Sequence, residues 1–199
     1  MIRHADILIA ILGAGRASRF GTDKLAQNCA GQPLGQWALE AALGTGLPVV
    51  WIAGETAPDF LGAVEAVPNP HAADGIGTSV ALAARLAETR GAKALLVMLA
   101  DMPLVTPALL TRLIEAGAPA ACRQADGRAG VPALLPDSAF PALMALAGDR
   151  GAGAVIGALA GLILLECSPE DLLDVDTPEA LAVAARLRAT SSPPACGRG

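Results

Sequence analysis

Short apolar runs alternate with longer, alanine-rich stretches along the chain. The apolar runs predict seven β-strands, at residues 7–12, 48–53, 63–67, 94–100, 119–122, 133–135 and 162–165. The first and fourth runs are apolar on both faces, which is typical of central parallel strands covered by helices on each side. The sequence therefore predicts a buried, layered sheet.

The alanine-rich stretches predict helices at residues 33–43, 77–88, 106–116, 138–147, 152–159 and 177–189. Thr106-Pro107 and Thr177-Pro178 each place a capping hydroxyl before a proline at the first helical position. The alternation of strands and helices predicts an α/β fold, a single three-layer domain with a Rossmann-like, mostly parallel sheet and helices on both faces.

No internal repeat or interior linker divides the chain, so residues 1–190 are predicted to form one domain, and residues 191–199 a disordered tail. Mean hydropathy is high, at +0.51. However, the longest uncharged stretch, residues 151–165, contains glycines and is shorter than the roughly 20 residues of a spanning helix. We expect no membrane segment.

Composition narrows the class of partner. The chain has 14 Lys and Arg against 19 Asp and Glu, a net charge of −5, no Tyr and 3% aromatic residues, which argues against binding polymeric nucleic acid. An acid, Asp6, precedes a first apolar run too short for a secretory signal. The cysteines are scattered singly, without metal-ligand spacing: Cys29, Cys122, Cys167 and Cys196. We expect a cytoplasmic protein with buried or incidental thiols.

A glycine-rich, basic loop, residues 13–24, follows the first predicted strand, where α/β proteins bind ligands. Its glycines allow backbone N–H groups to approach phosphate oxygens, and Arg16, Arg19 and Lys24 add three cations. The loop lacks the Gly-Lys-Ser/Thr of a Walker A motif, and Ser18 replaces the third glycine of a dinucleotide fingerprint. This pattern favours a triphosphate site over a turn with solvating charges.

Asp101 ends the fourth predicted strand, so its carboxylate is expected at the same edge of the sheet as the glycine-rich loop. A carboxylate beside triphosphate-binding cations suggests Mg²⁺, which prefers one or two carboxylates together with phosphate oxygens. The alternative, that Asp101 caps the next helix, is less favoured because Thr106 already supplies that cap.

The segment from Leu12 to Lys24 resembles the Leu-Ala-Ala-Gly-x-Ser-x-Arg-Phe/Met-Gly…Lys motif of nucleotidyltransferases related to molybdenum cofactor biosynthesis, above all the cytidylyltransferases. Residues 99–103 are similar to the family's metal-binding Leu-Ala-Asp-Met-Pro motif. The resemblance covers nearly the whole chain and implies a fold of the nucleotide-diphospho-sugar transferase type. Gly13 departs from the motif, where the family usually has alanine.

Further segments resemble family elements. Residues 174–178, which follow Asp171, are similar to Asp-Ile-Asp-Thr-Pro and make Asp176 the candidate second metal ligand, although a capping role for this segment stays open. Asn69-Pro70 together with residues 74–79 resembles Gly-x-x-Ser-Ser, and residues 148–152 resemble Gly-Asp-x-Gly-Ala, so each is an acceptor-side element or only a turn and helix cap. At residues 130–132, Gly-Val-Pro replaces the Gly-His-Pro of cytidylyltransferases.

The resemblance implies Mg²⁺-dependent transfer of CMP from CTP to a phosphorylated acceptor such as molybdopterin, with release of pyrophosphate. Arg16 and Lys24 are assigned to the phosphates, with Lys24 at the transition state, and Asp101 and Asp176 to the metal. Nucleotide binding is assigned to Leu12, Gly13, Ala14, Gly15, Arg16, Ser18, Arg19, Lys24, Gly75 and Ser79. An anionic acceptor needs no general base, so alignment and charge neutralisation suffice.

Alternatives remain at this point. One is a guanylyltransferase of the same family, although Ala14 in the loop is of the cytidylyl type and would crowd a purine. A second is a non-catalytic nucleotide-binding accessory protein for a molybdenum hydroxylase, which would also be the expected protein partner. A nicotinamide-dependent oxidoreductase is disfavoured, because the nearest strand-end acid, Glu55, comes too late after the loop.

Overall fold

The computed structural model of the chain describes residues 6–15 and 24–191. Its strands are β1 (Ile7–Leu12), β2 (Asn28–Cys29), β3 (Gln32–Pro33), β4 (Val49–Ala53), β5 (Glu65–Pro68), β6 (Ala94–Leu99), β7 (Ala120–Arg123), β8 (Ala129–Pro136) and β9 (Ile163–Leu165). Its helices are α1 (Leu34–Leu43), α2 (Ile76–Thr89), α3 (Pro107–Ala116), α4 (Phe140–Met144), α5 (Gly153–Gly157) and α6 (Pro178–Ser191).

The main sheet has the strand order β5-β4-β1-β6-β8-β7-β9 within the described residues. All of its strands run in one direction except β8, which is antiparallel to both neighbours. The chain passes from β1 outwards to β4 and β5 and then returns to β6 on the other side of β1. The connection after β1 therefore runs towards one edge of the sheet and the connection after β6 towards the other edge. Such a switch point opens a ligand cleft at the carboxyl ends of the two strands.

The side chains of β1 alternate between two hydrophobic cores, because successive residues of a strand point to opposite faces. Ile7, Ile9 and Ile11 pack in one core with α1, α3 and α6. Leu8, Ala10 and Leu12 pack in the other core with α2, α4 and α5. This arrangement confirms the predicted three layers with helices on both faces.

The predicted strands and helices are present, with shifts at their ends. The strand predicted at 133–135 is longer, since β8 continues through Gly130 and Pro132, which read as turn residues in the sequence. The two helices predicted at 138–147 and 152–159 are shorter, as α4 and α5 are single turns. The β2–β3 hairpin was missed, because its turn uses Ala30 at φ 53° as well as a glycine.

Within the described residues, no helix combines the length and the apolar character needed to cross a membrane. Helix α6 continues to Ser191. Residues 192–199, which include most of the predicted tail and Cys196, lie outside the described residues. The proposed division of the chain at residue 190 stays a prediction.

Candidate active site

A cleft of about 460 Å³ opens at the switch point between β1 and β6. Every predicted nucleotide-binding residue that the structure describes lines it: Leu12, Gly13, Ala14, Gly15, Lys24, Gly75 and Ser79. Both predicted metal ligands, Asp101 and Asp176, also line the cleft. The other predicted residues, Arg16, Ser18 and Arg19, lie outside the described residues. The structure thus brings segments from four parts of the chain to one edge of the sheet.

Lys24 connects the glycine-rich loop to the acidic side of the cleft. Its Nζ donates to Asp101 Oδ2 at 2.7 Å and to Asp176 Oδ1 at 3.1 Å. Burial on its own would lower the pKa of Lys24, but the charge of Asp101 and hydrogen bonds to Asp101 and Asp176 raise the pKa above its ordinary value. The Lys24 side chain is therefore a fixed cation between two carboxylates.

A third carboxylate, that of Asp174, completes an acidic cluster. One carboxylate oxygen from each of Asp101, Asp174 and Asp176 lies within 4.8 Å of the others. Asp174 is an exposed residue, yet desolvation of its carboxyl and then the charges of Asp101 and Asp176 raise the pKa of Asp174 to about 7. We define these three residues as the carboxylate cluster. The motif at residues 174–178 predicts Asp176 as a metal ligand, and the structure adds Asp174 beside it.

The carboxylate cluster is positioned by one backbone hydrogen bond between distant segments. The Val175 N–H donates to the Asp101 carbonyl at 3.0 Å, and the Val175 side chain is fully buried in the core beneath α1, α3 and α6. Because Val175 points inwards, its neighbours Asp174 and Asp176 face the cleft. The burial of one apolar side chain thus sets the direction of two charged ones.

Helix capping does not explain these acids. Thr106 Oγ1 accepts from the Leu109 N–H at 3.2 Å and caps α3. Thr177 Oγ1 accepts from the Ala180 N–H at 3.2 Å at the start of α6. The caps are therefore threonine hydroxyls, and the carboxylates of Asp101 and Asp176 are left to Lys24 and the cleft.

The donor set suits a hard divalent cation. Asp101 Oδ1 is buried and has no hydrogen-bond partner among residues 6–15 and 24–191, while Oδ2 accepts from Lys24. A buried carboxylate oxygen without a partner is costly, and carboxylate oxygens are the ligands that Mg²⁺ and Mn²⁺ prefer. The unpartnered oxygen and the adjacent carboxylates fit a metal ion of this class.

One wall of the cleft is held by a buried asparagine, Asn69, which belongs with residues 74–79 to a predicted acceptor-side element. Asn69 Nδ2 donates to Thr78 Oγ1 and to Ser79 Oγ, both at 2.9 Å, and its Oδ1 accepts from the His71 N–H at 3.0 Å. These bonds tie the segment after β5 to the first turn of α2. Ser79 is thereby fixed at the cleft, almost fully buried.

The two glycine turns predicted for the acceptor side contact each other. The Gly77 N–H donates to the Gly148 carbonyl at 2.9 Å. Gly75 has φ 115°, and a Cβ there would lie 2.3 Å from the Gly148 carbonyl carbon, so no side chain fits. This close approach brings Asp149 to the cleft opposite the carboxylate cluster.

The sequence matches a known family over most of its length. A sequence model of the family described as MobA-like NTP transferase domain matches residues 9–162. The chain is also 30% identical over 196 residues to the purine catabolism protein PucB of Bacillus subtilis (strain 168). That match covers 89% of this chain and 95% of PucB.

Solved structures share the architecture. Rv0371c from Mycobacterium tuberculosis H37Rv has a TM-score of 0.71 and 28% identity, covering 90% of this chain and 97% of that one. Its complex with manganese has a TM-score of 0.70 and 25% identity over the same shares of the two chains. A nucleotidyl transferase from Methanothermobacter thermautotroptrophicus has a TM-score of 0.75 at 21% identity, covering 92% and 98%, and is similar in fold. The predicted α/β architecture is confirmed.

Proposed function

The chain belongs to the MobA-like NTP transferase family and is a nucleotidyltransferase, and on that premise we propose that it transfers CMP from CTP to a small phosphorylated acceptor such as molybdopterin. The observation that carries the proposal is the Lys24–Asp101 pair beside the buried, unpartnered Asp101 Oδ1, at the mouth of the glycine-rich loop. A cation for phosphates, Lys24, and carboxylates for a metal thus meet in one cleft.

In this proposal, the backbone N–H groups of residues 13–15 and the cations Arg16, Arg19 and Lys24 bind the triphosphate. Asp101 and Asp176, joined by Asp174, hold Mg²⁺. The manganese complex of Rv0371c supports a divalent cation in a relative of this fold. When bound, the cation neutralises charge on phosphate oxygens. We propose that the reaction takes place in the cytoplasm.

The transfer needs no general base from the protein. An oxygen of the acceptor's phosphate attacks the α-phosphorus of the nucleotide, and the bond from that phosphorus to the β-phosphate's bridging oxygen breaks, releasing pyrophosphate. The second pKa of a phosphate monoester is about 6, so the acceptor is mostly a dianion at neutral pH. Lys24, held as a cation, stabilises negative charge that develops in the transition state, and alignment does the rest.

The preference for CTP is proposed from Ala14. The loop passes over the end of β4, where a Cβ on Gly54 would lie 3.9 Å from the Ala14 Cα. Ala14 therefore lies beside Gly54 and lines the cleft. Its methyl group would crowd a purine more than a pyrimidine, which is discrimination by steric exclusion.

The test is pyrophosphate release with equal concentrations of CTP, GTP and ATP, each with and without molybdopterin. We expect acceptor-dependent release that is fastest with CTP and is lost in Asp101→Asn. A clear preference for GTP would replace the cytidylyl assignment with a guanylyl one. No release with any triphosphate and acceptor would contradict the proposed transfer.

A second candidate is a nucleotide-binding accessory protein that supports a molybdenum hydroxylase without turnover. The observation that favours it is the 30% identity to PucB, which is named for purine catabolism. The two candidates differ in one measurement. An accessory protein binds the triphosphate in a calorimeter but releases no pyrophosphate, and it co-purifies with the hydroxylase.

A further inference from the structure

Trp51, in the middle of β4, lies directly beneath the first residue of the glycine-rich loop. The side chain is fully buried, and its ring meets Phe60 edge to face at 5.6 Å between centroids. The Gly13 N–H donates to the Ile52 carbonyl at 2.9 Å, so the loop is tied to β4 beside the indole. A Cβ on Gly13 would lie 2.3 Å from Trp51 Cε2 and 2.4 Å from Nε1.

A second glycine makes room for the same aromatic pair on its other side. A Cβ on Gly35, in the first turn of α1, would lie 2.8 Å from Phe60 Cζ and 3.1 Å from Trp51 Cη2. The indole is therefore enclosed between α1, Phe60 and the loop, in a core that leaves it little freedom to move. Gly13 therefore packs against an edge of the indole that cannot move away.

The indole N–H adds a second sign that the ring has a role beyond filling space. Trp51 Nε1 is buried and has no hydrogen-bond partner in the part of the chain that the structure describes. An unpartnered donor costs free energy that a purely hydrocarbon side chain would not. The polar edge of the ring lies against the loop that borders the nucleotide cleft, where Gly13, Ala14 and Gly15 line the wall.

We infer that Trp51 is a positioning residue for the nucleotide: its indole fixes the position of the backbone at residues 13–15 and makes glycine obligatory at position 13. Trp51 lines no part of the cleft and acts through Gly13 alone. The inference rests on the proposed role of the loop in binding the triphosphate.

The size of the effect follows from the contact distance. A methyl group on Gly13 must move from 2.3 Å to an ordinary contact of at least 3.4 Å, so ring and loop must separate by more than 1 Å. A misplacement of about 1 Å in a site of this kind costs about 10²-fold in rate. Replacing the indole by the smaller phenyl ring removes the edge that the methyl group meets.

The experiment is a double-mutant cycle on Gly13→Ala and Trp51→Phe. Thermal unfolding, the calorimetric Kd for CTP, and kcat and KM for CTP are measured for each variant. Gly13→Ala is expected to lower kcat/KM by about 10²-fold. The double variant is expected to regain about tenfold of that loss, as residues in contact do. Phe60→Leu is the matched control, because it also opens the aromatic core but not the edge under Gly13, and it should give no rescue.

The outcomes separate the inference from the function on which it rests. Gly13→Ala with wild-type CTP binding, or a double variant no better than Gly13→Ala, would overturn the inference. Rescue of thermal stability without rescue of CTP binding would also overturn it, since Trp51 would then serve packing alone. If the wild type binds CTP but releases no pyrophosphate, the proposed transfer fails, while the cycle in CTP affinity still decides the role of Trp51.

Discussion

Replacing Lys24 by methionine is expected to strengthen the binding of Mn²⁺ to the nucleotide-free protein. The ammonium group of Lys24 is bonded to oxygens of Asp101 and Asp176, two members of the carboxylate cluster. It therefore competes with a divalent cation for the same negative charge. Methionine keeps the length and most of the apolar contacts of the side chain but removes this competitor.

The magnitude follows from the two hydrogen bonds. The bond to Asp101 joins side chains that are 12% and 20% exposed, whereas Asp176 is 57% exposed, so its bond is screened by solvent and adds little. A charge-assisted bond contributes about 1.5–3 kcal/mol, and the mutual repulsion of the freed carboxylates takes back part of the gain. A net 1–2 kcal/mol corresponds to affinity about 5- to 30-fold tighter.

The assay is an electron paramagnetic resonance titration of free Mn²⁺ at pH 8. This pH lies above the pKa of Asp174 in the wild type, about 7. Because the charge of Lys24 lowers that pKa, its loss raises the pKa of Asp174, and the titration is repeated at higher pH so that a proton does not replace the lost ammonium. Lys93→Met is the matched control, because Lys93 also pairs with an aspartate, Asp137 at 3.2 Å, and belongs to neither the cluster nor the cleft. Affinity that is unchanged or weaker in Lys24→Met would refute the idea that lysine and metal compete for one site.

Three further predictions address the site and its support. Asp101→Asn is expected to abolish pyrophosphate release while thermal unfolding stays close to wild type, since the amide keeps the shape of the carboxylate but not its charge; near-normal release would contradict the metal assignment. Lys24→Ala should lower kcat more than it raises KM, because other loop groups still hold the ground state, and steady-state kinetics in which KM alone changes would make Lys24 a binding residue only. Arg188→Met should lower the free energy of unfolding by about 1–3 kcal/mol in urea titrations, because Arg188 Nε donates to the Pro103 carbonyl at 2.6 Å and its guanidinium stacks 4.3 Å above Trp37; no loss would mean that this contact does not fasten α6 to the loop after Asp101.

The sequence was sufficient to place the main parts of the cleft. The apolar runs at β1 and β6 can be buried only in a covered parallel sheet, and parallel strands end at one edge. The glycine-rich loop and Asp101 had to meet there, and the structure confirms that they do. The roles assigned to these residues, and to Arg16, Ser18 and Arg19 outside the described residues, stay predictions.

Other features depend on packing between distant segments and leave no local signal. The sequence shows only that Gly13 departs from the family motif. The fold shows why a side chain is excluded there, because a Cβ at Gly13 would collide with Trp51. The contribution of Asp174 depends on which way Val175 is buried, and this is decided by the core beneath it. The sequence assigns Asn69 to an acceptor-side element or a turn, but only the fold shows that its side chain bonds to Thr78 Oγ1, Ser79 Oγ and the His71 N–H.

The backbone bond from Val175 to Asp101 also determines when the site can exist. Lys24 and Asp176 are separated by 152 residues of chain. At roughly 5–20 residues per second, a ribosome needs about 8–30 s to make that interval. The glycine-rich loop is made first and Asp101 follows 77 residues after Lys24, so in the second part of this time both exist without the two later carboxylates. The complete carboxylate cluster thus cannot form, or offer all three carboxylates to a metal, until Asp176 has been synthesised.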